Sequence, residues 1–275
     1  MIPAPFEYVR ARDLGEALEA LARYGEDARV LAGGHSLLPA MKLRLAQPKA
    51  LVDIGRVAEL QGIREEDGRI RIGALTTHAE IESSALLSRS CPLLPEVAGR
   101  IGDLQVRNRG TIGGSLAHAD PAADWPAAVL ALEAEIVLAG REGVRAVRAE
   151  EFFVDLFQTA LRPGEILTEV RVPVTGPAAA YEKFAQKASG FALCGVAAVA
   201  GDGAFRVAMT GVAARAYRAR GMEEALRRGA SPAEAAERAA EGVEPLGDLH
   251  ASSEYRAHLA RVLARRALER ALARR

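Results

Sequence analysis

Two short segments of this sequence pair adjacent glycines with flanking hydroxyl side chains: Ala32-Gly33-Gly34-His35-Ser36 and Thr111-Ile112-Gly113-Gly114-Ser115. Diglycine removes two Cβ atoms and opens positive φ, so a ligand is able to approach the backbone while successive amide N–H groups converge on one anion. Hydroxyls add donors without bulk. Phosphate is the anion that such a cradle suits best, above all where a helix begins. Neither segment continues into Gly-Lys followed by Ser or Thr, and neither completes GxGxxG, which disfavours a nucleoside triphosphatase and a Rossmann dinucleotide site. What remains is a diphosphate clamped between two parts of the chain, set against the plainer reading in which each Gly-Gly makes a turn.

His118, Asp120 and Asp124 follow the second segment and could form an acid/base pair or a metal site. The plainer reading is helix capping, with Asp120 and Asp124 at the start of WPAAVLALE. No GxSxG nucleophile motif is present and no second histidine stands at zinc-ligand spacing, so hydrolase chemistry is disfavoured. Cys91 and Cys194 lie far apart without a CxxC context. They read as buried thiols, and any iron–sulfur or metal chemistry would have to come from another chain.

The elements that position these residues begin with a strand at Phe6 to Arg10 and a helix from Asp13 to about Arg23, opened by an N-cap carboxylate with Glu16 three positions on. Gly25 ends that helix, ARVLA (28–32) is a buried strand, Ser36 caps a short helix LLPAMKLRL, and ALVDI (50–54) is the next strand. After the turn EEDG the alternation RIRIGALTT predicts a strand with one wet face, and THAEIESSALL and PLLPEVAGRI predict helices. The stretch QVRNRGTIGGSLAHADPAAD has neither periodicity and reads as a long surface loop. AEIVLAG, GVRAVRAEEFF and GEILTEVRVP close a mixed α+β unit near Pro173. VTGPAA is a candidate linker, followed by strands AAYEKFAQ, LCGVAAVAG and FRVAMTGV and by helices at SPAEAAERAAEG and from Ser252 to the end.

The 275 residues are 49% hydrophobic and 26% charged, which excludes a disordered or fibrous chain, and 36 basic against 36 acidic residues leave no global field toward nucleic acid or membrane. No apolar run reaches the roughly 20 residues of a membrane span, and the first residues lack the pattern of a secretion signal, so the expected location is the cytoplasm. The last 24 residues carry seven arginines against two glutamates. Their charges are expected to face water on an amphipathic helix, with a partner-binding face as the alternative.

VLAGGHSLLPAMKLRL and VRNRGTIGGSLAHADPAAD resemble the two flavin-binding signatures of the FAD-binding medium subunit of the molybdenum hydroxylases, the group containing xanthine dehydrogenase and the aerobic carbon monoxide dehydrogenases. The resemblance covers essentially the whole chain, and its wording is closer to the carbon monoxide enzymes. Ser115 stands where many members have Asn. The resemblance implies a fold of the vanillyl-alcohol oxidase type, with two N-terminal α/β subdomains (1–57 and 58–175) and a C-terminal α/β domain (176–275) around noncovalent FAD. Ala32, Gly33, Gly34, His35 and Ser36, with Leu37 adjoining, and Thr111, Ile112, Gly113, Gly114 and Ser115 would wrap the diphosphate and ribityl chain. Asp124 would contact the cofactor, Ile101 and Leu161 would line the adenine or flavin environment, Lys183 or Lys187 would approach from the third unit, and Phe191 would lie near the isoalloxazine face. Without the resemblance, Ile101 and Leu161 read as core and both lysines as surface.

The implied role is electron transfer: an iron–sulfur small subunit, supplied by a molybdenum large subunit, reduces the FAD, which passes electrons to an external acceptor. The molybdenum cofactor and the clusters would sit only in those partners, the assembly would be a dimer of heterotrimers, and no side chain of this chain would act as a catalytic acid, base or nucleophile. Relatives whose flavin subunit carries a cysteine-bearing insertion are disfavoured, because this chain has none. Two other readings are a self-contained FAD-dependent oxidoreductase and a non-redox nucleotide-binding interaction module that docks through the arginine-rich terminal helix.

Overall fold

Asp13 adopts an extended conformation and its carboxylate accepts the Glu16 amide, which starts helix α1 (Leu14–Tyr24); Gly25, at φ 56°, ends it. The computed structural model, which describes residues 1–201 and 204–275, sets this helix between strands β1 (Glu7–Arg10) and β2 (Ala28–Leu31). Helix α2 (Leu37–Lys42) then leads to β3 (Ala50–Asp53). The three strands form a parallel sheet in the order β1-β3-β2, so the central β3 is the most apolar and buried. Ser36 occupies the N-cap of α2 with helical φ and ψ and no side-chain bond to the helix, so the expected hydroxyl cap is absent.

A hairpin of β4 (Ile63–Glu66) and β5 (Arg69–Gly73) opens the second unit, followed by six short helices: α3 (His78–Glu82), α4 (Ala85–Ser90), α5 (Leu93–Ala98), α6 (Leu104–Arg107), α7 (Ile112–His118) and α8 (Trp125–Ala131). Next come β6 (Glu135–Gly140), β7 (Gly143–Arg148), the turn α9 (Ala149–Phe152), the small pair β8 (Phe153–Asp155) and β9 (Gln158–Thr159), and β10 (Ile166–Pro173). An antiparallel sheet in the order β4-β5-β10-β6-β7 results. The stretch expected to be an unpatterned loop therefore contains α7 and overlaps α6. Gly113 and Gly114 have the poorest helix propensity apart from proline, which hides α7 from a pattern reading, yet Thr111 caps it by accepting the Gly114 amide.

Strands β11 (Ala179–Ala185), β12 (Ala192–Gly201), β13 (Ala204–Thr210) and β14 (Tyr217–Arg218) form an antiparallel sheet in that order, joined by α10 (Arg220–Arg227), α11 (Pro232–Ala236) and α12 (Ser253–Ala273). Residues 192–200 of β12 are all buried, because both faces of the strand are covered. Val196 and Ala198 share a core with α12, while Ala197 and Val199 belong to the core built around α8 of the second unit. That explains a strand of Ala, Gly, Cys and Val without polar alternation.

The arginines of α12 do not all face solvent. Arg256 is buried, donating through Nη1 to the Leu193 and Gly211 carbonyls at 2.8 and 2.6 Å and through Nη2 to Asp248 at 2.6 Å. Arg270 donates to the Tyr181 carbonyl and pairs with Glu182 and Glu96, and Arg274 reaches Glu96 and the Ala179 carbonyl. These charges latch the helix onto β11 and α5. Arg256→Ala leaves two buried carbonyls and Asp248 without their donor, and urea unfolding should register a loss on the order of 2–4 kcal/mol.

Candidate functional site

A cavity of about 570 Å³, within the range of ligand sites, opens where the three sheets' connecting segments meet. Strand β2 delivers Ala32 to its rim, and Gly33, Gly34, His35, Ser36 and Leu37 follow along the wall. Gly34 takes φ +77°, and a Cβ on Gly33 would stand 2.2 Å from the Arg109 carbonyl oxygen. Glycine at 33 thus serves chain-to-chain packing rather than ligand approach. His35 turns its Nδ1 back to the Gly33 carbonyl at 3.1 Å. The amides of residues 33–37 donate to no acceptor among the described residues, whereas Leu38 N–H already bonds the Gly34 carbonyl. Five successive uncommitted donors beside a cavity have the geometry that an anion cradle requires.

The second segment works differently. The Ile112 amide donates to Thr76 O at 3.1 Å, Gly113 to Ala74 O at 2.9 Å, Gly114 to the Thr111 hydroxyl at 3.1 Å and Ser115 to Thr111 O at 3.0 Å. Four of its five amides, those of residues 112–115, are committed, so the expectation of a second amide cradle is corrected: this segment offers hydroxyls and a flat wall. A Cβ on Gly113 would meet the Ala74 methyl at 2.5 Å, which fixes α7 against the chain leaving β5. A Cβ on Gly114 would come within 3.8 Å of the Ala32 methyl, so the two segments face each other across one crevice.

Thr111, Gly113, Gly114, Ser115, Ile101, Asp124, Leu161 and Phe191 all border the cavity, as Ala32 to Leu37 do. Three residues named from the sequence do not. Ile112 points into the core, fully buried. Lys187 is exposed outside the cavity wall. Lys183 is neither a surface residue nor a wall residue: its ammonium bonds Asp124 Oδ2 at 2.8 Å and the Arg100 carbonyl at 2.9 Å, with only 2% and 5% of the two side chains exposed.

Asp124 therefore caps no helix with its side chain; its second oxygen accepts the Tyr181 hydroxyl at 2.6 Å. Burial raises this carboxyl, and the Lys183 ammonium and the Tyr181 hydroxyl act against that rise. Asp120 accepts the Ala122 amide, and the His118 ring packs on Phe157 with centroids 5.2 Å apart, so no His–Asp acid/base pair forms. Among the described residues no group of three or more His, Cys, Asp or Glu is arranged to hold a metal ion. Burial pushes the Cys91 thiol up to about 11 and the Cys194 thiol up to about 12, which keeps both protonated. Lys183→Met strands the Asp124 charge in the interior, and chemical denaturation should show a loss of about 3–5 kcal/mol, with Asp124→Asn plus Lys183→Met losing less than the sum of the single changes.

His78, at the start of α3, borders the cavity and was not among the residues singled out from the sequence. Only 4% of it is exposed, and the Trp125 indole N–H donates to its Nδ1 at 3.1 Å. Burial first, then the charges of His35 and Arg107, push it down to about 4, so the ring is neutral at physiological pH. The unfolded chain takes up that proton near about 6.5. Stability is therefore undiminished above about 6.5 and falls as pH drops between the two values. Urea unfolding at pH 7 and pH 4.5 should show the native sequence losing roughly 2–3 kcal/mol more than His78→Phe over that interval.

Comparison with known proteins relates this chain to FAD-binding families. Residues 4–175 match the family described as FAD binding domain in molybdopterin dehydrogenase, and residues 179–271 match the CO dehydrogenase flavoprotein C-terminal domain. The chain is 44% identical to the carbon monoxide dehydrogenase medium chain of Hydrogenophaga pseudoflava, covering 100% of this chain and 99% of that one. It is 38% identical to subunit alpha of the 6-hydroxypseudooxynicotine dehydrogenase complex of Paenarthrobacter nicotinovorans, covering 99% and 96%. Reconstituted CO dehydrogenase from Oligotropha carboxidovorans contains a chain that superposes with a TM-score of 0.95 at 38% identity, covering 100% of both.

Proposed function

This chain belongs to the family of FAD-binding medium subunits of the molybdenum hydroxylases, and on that footing we propose that the residues around its central cavity hold one noncovalent FAD in an electron-transfer subunit of the carbon monoxide dehydrogenase type. The observation that carries the site assignment is the run of five uncommitted amides at 33–37 facing the Thr111–Ser115 wall. FAD, when bound, supplies a ring that takes up and releases electrons singly or in pairs.

The chain's own residues bind, orient and shield. Amides 33–37 hold the diphosphate, and Thr111 and Ser115 add hydroxyl donors; a hydroxyl at 115 serves where an amide side chain is common in relatives. Ile101, Leu161 and Phe191 pack the apolar surfaces. Asp124 orients a polar edge of the cofactor, and Lys183 acts through Asp124 rather than by contact. Lys187 stands outside the wall and reaches the cofactor only at the rim. No side chain serves as a general acid, base or nucleophile. On this reading residues 1–57 and 58–175 are the two cofactor-binding subdomains and 176–275 is the domain that covers the ring side.

An iron–sulfur small subunit and a molybdenum large subunit are the partners, arranged as a dimer of heterotrimers in the cytoplasm. The cysteine chemistry supports that division: two protonated thiols in separate cores offer no cluster ligands here. No nucleic acid is expected, since Arg256 and Arg270 of α12 and Arg274 at its C-terminal cap are engaged with protein partners. No helix among the described residues is long and apolar enough to cross a membrane.

The test is the absorption spectrum of the purified chain with added FAD, repeated with Gly33→Val and Gly114→Val. The native sequence should give a bound-flavin spectrum, and each valine should weaken binding at least tenfold, Gly33→Val by displacing the cradle from Arg109 and Gly114→Val by filling the crevice opposite Ala32. Undiminished binding in both variants overturns the site. Turnover of a small organic substrate by the chain alone would point to a self-contained oxidoreductase, and absence of any flavin spectrum to a non-redox module.

A further inference from the structure

We propose that His78 donates a hydrogen bond from Nε2–H to an oxygen of the bound flavin dinucleotide, with Trp125 as the positioning residue that keeps the proton on that nitrogen. The proposal rests on the FAD reading above. In a neutral imidazole one nitrogen donates and the other accepts. The Trp125 indole can only donate, and it does so to Nδ1 at 3.1 Å, so the ring proton resides on Nε2. That N–H finds no acceptor among the described residues; the residue is 4% exposed and borders the cavity, and Nε2 is not among the side-chain atoms shut off from solvent, so it opens toward the cavity. A donor that opens into the cavity from an otherwise enclosed ring is placed to meet an oxygen of whatever fills that cavity, and covering it without such a partner would be costly.

Glycine at 110 leaves the imidazole edge free of a side chain. The His78 amide donates to the Gly110 carbonyl at 3.0 Å, and a Cβ on Gly110 would lie 2.7 Å from Nε2 and 2.9 Å from Cδ2. Gly110 is also the residue whose Cα would stand 3.0 Å from a Cβ on Gly33. The imidazole therefore sits directly beside the segment that presents its amides at 33–37. Because burial keeps the ring uncharged, recognition is by a directed hydrogen bond to oxygen rather than by ion pairing.

The experiment uses the full chain titrated with FAD, following the quenching of flavin fluorescence, with His78→Phe, His78→Gln and Trp125→Phe. Phenylalanine keeps a ring without the donor and should raise the Kd about tenfold. Glutamine places an amide N–H near the position of Nε2 and should recover most of that loss, which a purely structural role for the ring would not allow. Trp125→Phe should weaken binding a few-fold and, in nitrogen-15 spectra, shift His78 from the pure Nε2–H form to a mixture of tautomers. In the native sequence, added FAD should move the His78 Nε2 proton downfield and slow its exchange with water. A native chain that binds FAD with no change in that resonance overturns the proposal even if His78→Phe fails to fold, as does equal affinity in a folded His78→Phe. A native chain that binds no FAD overturns the FAD reading instead.

Discussion

The contact between Gly33 and the Arg109–Gly110 backbone is the constraint on which the rest of the site depends. With the Arg109 carbonyl only 2.2 Å from where a Cβ would be, the first parallel sheet's outgoing loop and the turn before α7 touch main chain to main chain. That approach leaves the loop's own amides turned to the cavity instead of being used up in a turn, and it brings Ala32 opposite Gly114. Backbone donors are rigid and carry no rotamer entropy, so a cradle built from them is formed before any ligand arrives.

A second layer fixes the floor of the cavity through buried polar bonds. Asp124 at the head of α8 is tied to Lys183 and Tyr181 of β11, and His78 of α3 is tied to Trp125 of α8. Helix α8 thus gathers three groups from distant parts of the chain. An ion pair enclosed this fully contributes little to net stability relative to an apolar substitute, but it permits few alternative arrangements, which is what a binding site requires.

The sequence was most legible where the signal is local. Asp13 with Glu16, the apolar run of β12 and the Ser231-Pro-Ala-Glu234 start of α11 each announce their element within a few residues, and the structure has them. The two glycine pairs were legible as a facing couple, but not the division of labour between them, because whether an amide is free depends on Thr76 and Ala74, which lie 36 and 39 residues before the Ile112 and Gly113 amides they accept. Helix α7 was hidden by its own glycines. Lys183 and His78 escaped for a related reason: their partners are 59 and 47 residues away, and nothing in the neighbouring sequence marks a lysine that will be buried or a histidine that will be held neutral. The same holds for Arg274, whose partner Glu96 is 178 residues distant.

Strand β12 has a consequence beyond its own sheet. Its alanines and valines are squeezed between α8 on one side and α12 on the other, so their methyl groups act as a spacer gauge for everything mounted on those helices. An added methylene there would push apart the very elements that carry Asp124 and Lys183, although the strand's middle is remote from any ligand. Sequence drift in this strand should accordingly be as restricted as in the glycine loops, for reasons of calibre rather than chemistry.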